Sequence, residues 1–384
     1  MKERYLSLDV FRGATVAGMI LVNNPGSWNH IFPPLEHASW HGCTPTDLVF
    51  PFFLFAVGNA MALVLPRLQE QGMAAAWTKI IKRTLLIALI GLLLNYFPFV
   101  KYNEAGMLVA KTWSSVRIMG VLQRIALCYF VAASLLLLLK ERGAFVAAGS
   151  LLLLYWLACV AGNPADPYSL KGWFGNVIDM SILGESHMYH GEGVAFDPEG
   201  LVSTPAAIVQ VLFGYFAGQY IQHNGKQPSM LNGLFVSGLV LVFCGFCWDQ
   251  VFPINKKIWT SSYTIYTSGL ALLVLGVMIW LLEFRNAGGW WSRFFNVFGK
   301  NPLFIFVLSG ALPRALALIR IPAGIADNGK SRFLSPLGWF YEKVCAPLFT
   351  AVPEYGSLLY ALCFICLMWA IAWWLNEKKI YIRV

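Results

Sequence analysis

Apolar residues in this chain of 384 come in blocks close to twenty residues long, separated by short polar stretches. A helix rising 1.5 Å per residue needs about twenty such residues to cross a hydrocarbon layer of ~30 Å. Inside that layer every backbone N–H and C=O must be bonded within the protein, so a chain written this way folds as helices. We read spans at roughly 6–24, 46–65, 79–98, 115–139, 143–162, 202–222, 230–249, 262–284, 300–319 and 354–376. The fold class expected is all-α: a polytopic transmembrane helical bundle of about ten helices, forming one domain over residues 1–384. Charged residues make up only 12% of the chain against 58% hydrophobic, where soluble domains carry about 25% charged. There is too little polar surface to cover a large soluble core.

The first span is short and polar, holding Asp9, Arg12 and Asn23, and Pro302 and Pro313 interrupt the ninth. No small-residue cleavage site follows the first span, so it reads as retained and not as a signal peptide. Basic residues set the orientation. Lys2 and Arg4, Arg67 with Lys79, Lys82 and Arg83, Lys140 and Arg142, Lys226, Arg285 with Arg293 and Lys300, and Lys378 with Lys379 and Arg383 all fall on one side. Most acids, among them Asp166, Asp179, Glu185, Glu192, Asp197 and Glu199, fall on the other. The basic side is expected to face the cytoplasm, with both termini there, in the inner (cytoplasmic) membrane. The net charge of +9 then reports topology, and nucleic acid is not an expected partner.

Three external stretches are long, about 24–45, 163–201 and 320–353, and rich in Trp, Pro, Gly, His and Asp. Loops of that length and content fold back on a scaffold and carry function. The C-x-x-C spacings Cys244/Cys247 and Cys363/Cys366 lie inside apolar spans, where cysteine serves as a small packing residue. Cys43 and Cys345 sit in external segments and leave a disulfide open.

Polar residues inside spans cost free energy and mark function. Asp9 and Arg12 share a helical face near the cytoplasmic end, as an ion pair or as a site where Arg12 meets an anion. His37 precedes the second span and Asp47 opens it. A carboxylate accepting from one imidazole nitrogen fixes the tautomer and leaves the other as a base. A solvated loop histidine, and an N-cap role for Asp47 in Thr44-Pro45-Thr46-Asp47, are the plainer alternatives. His37 and His41 with His187 and His190 make a loose metal-ligand set without a recognisable motif, and no metal is expected. Gln123 and Arg124 fall within the fourth span, where a buried arginine needs a carboxylate or a phosphate. Asp197-Pro198-Glu199-Gly200 read as turn residues, and Lys256 before the eighth span reads as an interface anchor. Gly299-Lys300-Asn301-Pro302 lacks the earlier glycine of a phosphate-binding loop.

Several of these runs, in order, strongly resemble the heparan-α-glucosaminide N-acetyltransferase family. They are Ser7-Leu8-Asp9-Val10-Phe11-Arg12-Gly13, Val22-Asn23, His37-Ala38-Ser39-Trp40 through Thr46-Asp47-Leu48-Val49-Phe50-Pro51-Phe52, Gly120-Val121-Leu122-Gln123-Arg124, Asp197-Pro198-Glu199-Gly200, Pro253-Ile254-Asn255-Lys256 and Gly299-Lys300-Asn301-Pro302. The resemblance implies transfer of an acetyl group from cytosolic acetyl-CoA, as co-substrate, to a glucosamine-type amine across the membrane. It places the active-site histidine on His37, a nearby asparagine on Asn23 and the acid on Asp47. The chain looks like a compact bacterial branch, without the luminal domain of the lysosomal enzymes. A homodimer is a further implication.

Joined to the topology, this gives an expectation for the donor. Its polyanionic nucleotide stays at a basic cytoplasmic mouth of Arg12, Lys82, Arg83 and Lys300. Its thin arm threads a seam of Asn23, Asn59 and Gln123 toward His37. Arg12, Gln123, Arg124, Lys300 and Asn301 are the expected acetyl-CoA contacts, and Trp28, Trp40 and Trp173 offer faces for a sugar acceptor. A transporter of amino sugars or cell-wall fragments would also carry intramembrane polar residues and broken helices. O-acetylation of a polysaccharide would change only the acceptor atom.

Overall fold

The computed structural model describes residues 5–103, 105–325 and 331–382. Lys2, Arg4 and Arg383, used above for orientation, lie outside the described residues. Helix α1 (Leu6–Asn23) is followed by the first long external segment. A short turn of tight helix, Pro45–Leu48, then feeds directly into α2 (Val49–Glu70), and α3 (Met73–Tyr96) follows. Strands β1 (Val100–Tyr102) and β2 (Leu108–Ala110) form a hairpin with Val100 opposite Ala110. Next come α4 (Val121–Gly162), the short α5 (Gly175–Leu183), α6 (Thr204–Asn224), α7 (Pro228–Asp249) and α8 (Ser261–Ile279). The chain ends with α9 (Trp290–Lys300), α10 (Pro302–Leu316), a second hairpin of β3 (Ile321–Ile325) and β4 (Ser331–Leu334), α11 (Pro336–Phe340) and α12 (Pro353–Glu377). The two hairpins are the departure from an all-helical expectation. Both sit in connections, where no lipid forbids an open strand edge.

Among the described residues, six helical segments are long and apolar enough to cross a membrane, or seven with α9 and α10 taken as one bent span. The segments that pass singly include α1, α2, α4, α7, α8 and α12. The expected ten thus shrinks by this criterion, because α3 carries Lys79, Lys82 and Arg83, α6 falls outside it, and α4 counts once. Yet α4 is not one rod. Lys140 has φ 56° in its middle. Arg124 lies over the Trp259 ring, and Tyr155 donates to the Ile258 carbonyl at 2.5 Å. In a straight helix residues 124 and 155 would stand about 46 Å apart at 1.5 Å per residue. The helix therefore folds back at Lys140 into two arms.

The α9–α10 bend of 83° has its cause in Pro302, which has no N–H and pushes Asn301 out of the helical region, to φ −130° and ψ 50°. Helix α1 packs backbone to backbone against α9: a Cβ on Gly13 would overlap the Phe295 carbonyl, and one on Gly299 the Asp9 carbonyl. Small residues let helices approach this closely in a membrane. The contact brings Arg12 beside Gly299 and Lys300. The outward face of α7 exposes Val236, Leu239, Val240, Phe243 and Phe246, a helical stripe suited to lipid.

Candidate active site

Asp47 is the fixed point of the site. Thr44 begins the turn before α2, and Asp47, three residues on, reaches back so that its Oδ2 accepts from the Thr44 N–H at 3.0 Å. The Ala38 N–H donates to the same oxygen at 3.0 Å, and the Tyr263 hydroxyl donates to the Asp47 main-chain carbonyl at 2.5 Å. The Thr44 hydroxyl closes the external segment by donating to the Glu36 carbonyl at 2.6 Å. With Oδ2 occupied, Oδ1 meets His37 Nδ1 at 2.7 Å. The carboxylate is 1% exposed and the imidazole 39%. Nδ1–H pointing at an acceptor-only carboxylate leaves the ring's lone pair on Nε2. The cap and the contact with the imidazole coexist, one through each oxygen.

A third group completes the cluster. Lys256 Nζ stands 2.9 Å from His37 Nδ1 and 3.2 Å from Nε2, and 3.5 Å from Asp47 Oδ1. It comes from the loop between α7 and α8, which is pinned to the first external segment where Gly42 N–H donates to the Ile254 carbonyl at 2.7 Å. The Asn255 side chain accepts from the Ile258 N–H, and Thr260 Oγ1 accepts from the Asn255 N–H, so the loop is rigid next to the lysine. Burial pulls the Lys256 ammonium below the usual lysine value, opposed by the Asp47 and Glu199 carboxylates. Sequence reasoning took Lys256 for an anchor. The only signal it left was its place in the Pro253–Lys256 motif.

Asn23 closes α1 and is exposed. It is not among the partners of His37, Asp47 or Lys256. Arg124 is fully buried, bonded to the Gly200 carbonyl at 2.7 Å and to the Ser203 hydroxyl, with its plane over Trp259. It thus serves the external loop 197–203, on the side of the bundle where His37 lies. Beside it, Arg117 forks onto Asp197 at 2.9 and 2.6 Å and reaches Glu199 at 2.5 Å. This pairing makes the Asp197–Gly200 run an anchored strut, a role the turn chemistry does not reveal. Trp173 is 1% exposed and packs on Phe174 and Phe196, so it offers no face to a sugar. Trp28 is 65% exposed, and the Trp40 indole donates to the Tyr168 carbonyl at 2.8 Å.

At the basic end lies a cavity of ≈ 470 Å³ lined by Asp9, Arg12, Phe53, Val57, Ala60, Arg83, Ile87, Ile125, Tyr129, Gly299, Lys300, Pro302, Leu303, Tyr381 and Ile382. Arg12 binds Asp9 Oδ1 at 2.6 Å and the Gly299 carbonyl at 2.7 Å, so the ion pair exists and also faces the cavity. Arg83 lies over the Tyr129 ring, and its Nε has no hydrogen-bond partner. Lys300 donates to Asn376 Oδ1 at 2.6 Å. Asn301 does not line the cavity: its amide donates to the Ile380 carbonyl and accepts from the Ile382 N–H, tying down the C-terminal tail. Gln123 also stands outside the lining. Asn59, adjacent to Ala60, is buried with both side-chain polar atoms unpartnered, as is the Gln123 amide nitrogen. All eight cysteines are free, so Cys43 and Cys345 are not joined. Among the described residues no three His, Cys, Asp or Glu side chains gather as metal ligands.

Apolar helices, with an imidazole–carboxylate pair at one face and a basic cavity at the other, mark a multi-pass membrane protein. Residues 4–178, which contain His37 and Asp47, match the family model described as heparan-alpha-glucosaminide N-acetyltransferase, catalytic. The chain is related to that family, as its motifs imply. It is 29% identical over 363 aligned positions to heparan-alpha-glucosaminide N-acetyltransferase of Homo sapiens, covering 80% of this chain and 53% of the human protein. The protein of the same name from Mus musculus is 28% identical over 361 positions, covering 79% and 53%. The chain spans about half the length of these curated relatives.

Proposed function

We propose that this chain is a membrane-embedded acetyltransferase that moves an acetyl group from cytosolic acetyl-CoA to the amine of an amino sugar or related glycan at the outer face. The observation that carries the reading is the His37–Asp47 pair, whose carboxylate fixes the ring and leaves the basic lone pair on Nε2, beside Lys256. The names of the relatives support the reaction class and the kind of acceptor. The Arg12, Arg83 and Lys300 cavity supports a polyanionic donor on the basic side. His37, Asp47 and Asn23 are the proposed catalytic residues, and Arg12 and Lys300 the proposed donor contacts. Gln123, Arg124 and Asn301 remain in the proposal only as residues next to the donor path.

Ten crossings follow from counting the two arms of α4, α3, α6 and the α9–α10 pair with α1, α2, α7, α8 and α12. An even number puts both termini on the basic side, the cytoplasmic face of the inner membrane. A homodimer belongs to the proposal on the resemblance alone. In the reaction, the neutral amine attacks the thioester carbonyl while Nε2 takes its proton. Collapse reforms the carbonyl, breaks the C–S bond and passes the proton to the departing thiolate.

Purified protein given acetyl-CoA and glucosamine is expected to release free thiol and an N-acetylated sugar. His37→Ala is expected to lower that rate at least ~10²-fold while the protein still elutes as the wild type does. Full activity in this variant would remove His37 from the chemistry. The mass spectrum of the product separates amide from ester, and glucosamine uptake into vesicles without acetyl-CoA would favour a transporter.

A further inference from the structure

We propose that Lys256 is a catalytic residue of this site, the cation that stabilises the negative charge formed on the acetyl oxygen during transfer. The inference rests on the acetyl-transfer reading and assigns it an oxyanion partner in contact with the imidazole, a contact that Asn23, exposed at the end of α1, does not make. The argument is positional. A substrate amine that gives its proton to His37 must sit against Nε2, and the carbonyl it attacks lies one bond further on. Lys256 Nζ is 3.2 Å from Nε2, within reach of that carbonyl oxygen, and it is 17% exposed. A charge aimed at a developing oxyanion in a poorly hydrated site is worth far more than in water. The flexible stem of the lysine lets Nζ leave the imidazole as the amine arrives.

As the C–N bond forms, the carbonyl π electrons move onto oxygen, which the ammonium then faces. As the C–S bond breaks they return, and Lys256 ends the cycle unchanged. The charged neighbours are arranged to hold the ammonium in place. Asp47 lies at 3.5 Å from Nζ, and the Glu199 carboxylate contributes from the 197–200 strut. The Cys43 thiol, pushed up to about 12 by burial, stays neutral. Lys257 is spent on Glu192 at 2.6 Å and on the Ser39 carbonyl at 2.7 Å, His41 faces Asn255, and Asp249 accepts from the Ile254 N–H.

The ammonium is present below its own, lowered, titration point and lost above it, so the rate is expected to fall on the alkaline side short of the usual lysine range. The test is kcat and its pH profile for wild type, Lys256→Gln and Lys256→Arg, each normalised to protein that elutes and melts as the wild type does. Lys256→Gln is expected to lower kcat about 10²–10³-fold with KM for acetyl-CoA within about threefold. Lys256→Arg is expected to keep at least a tenth of kcat and to lose the alkaline fall, because guanidinium stays protonated. A Lys256→Gln enzyme within threefold of wild-type kcat, or an alkaline fall unchanged in Lys256→Arg, overturns the inference while leaving the acetyl-transfer reading intact. A wild-type protein that never cleaves acetyl-CoA with any amino sugar overturns both.

Discussion

Asp47 shows how one residue serves local structure and chemistry at once. One oxygen is bonded to two main-chain N–H groups and the other to the imidazole, so a change to Asn splits the two roles. The Asn side chain keeps one acceptor oxygen but turns an NH₂ toward either the backbone donors or His37. Asp47→Asn is expected to lower kcat roughly 10²–10⁴-fold, by analogy with other imidazole–carboxylate pairs. Unfolding free energy should fall by about 1–3 kcal/mol, the cost of an unsatisfied buried partner. Thiol release per folded molecule and a thermal melt read the two effects separately. A variant with normal kcat and only a lower melting point would reduce Asp47 to a helix cap. His37 and Asp47 were legible in the sequence because they lie ten positions apart on one turn-and-cap segment. Lys256 was not, because it reaches them only when the loop after α7 is pinned at Gly42, a contact between distant parts of the chain. Arg124 illustrates the opposite difficulty: its burial was legible, but its partners Gly200 and Ser203 depend on how the external segment between α5 and α6 folds.

At the scale of elements, the cavity owes its basic wall to the crossing of α1 and α9. Arg12 meets the Gly299 carbonyl only because both helices present glycine at the contact. Gly13→Val places two methyl groups where the Phe295 carbonyl now lies, and the helices have to part. Overpacking of this kind costs about 1–3 kcal/mol. A lower melting temperature is expected together with weaker acetyl-CoA binding, read by calorimetry, since Arg12 and Lys300 separate. Unchanged binding would show that the α1–α9 contact does not shape the donor site. The bend between α9 and α10 was legible from Pro302. The break in α4 was legible too, as the gap at Lys140–Arg142 between the expected spans 115–139 and 143–162, but the two hairpins were not, because strands of three to five residues are too short to show a pattern.

At the scale of the whole molecule, the two halves of the proposed reaction lie at opposite ends of the same helices. Residues 12 and 23 of α1 are about 16 Å apart along the axis, with the cavity at one and the external segment that bears His37 following the other. The cavity reaches inward as far as Phe53 on α2, about 9 Å along the helix from Asp47. Phe50 lies between them, its ring meeting Trp259 edge-on at 5.1 Å. On the proposed reading, a donor at the basic wall reaches the dyad past Phe50, and the acceptor meets it from the exposed side of the imidazole. That reading demands sidedness. In sealed vesicles oriented with the basic face inward, acetyl-CoA trapped inside and glucosamine supplied outside are expected to give N-acetylglucosamine outside and coenzyme A inside. Acetyl-CoA added only outside is expected to give none. The orientation is fixed independently by an impermeant thiol reagent on an otherwise cysteine-free protein carrying Glu36→Cys, which is labelled from outside only. Product formed with both substrates on the outer side would mean that donor and acceptor share one entrance, and the basic cavity would lose its place in the reaction.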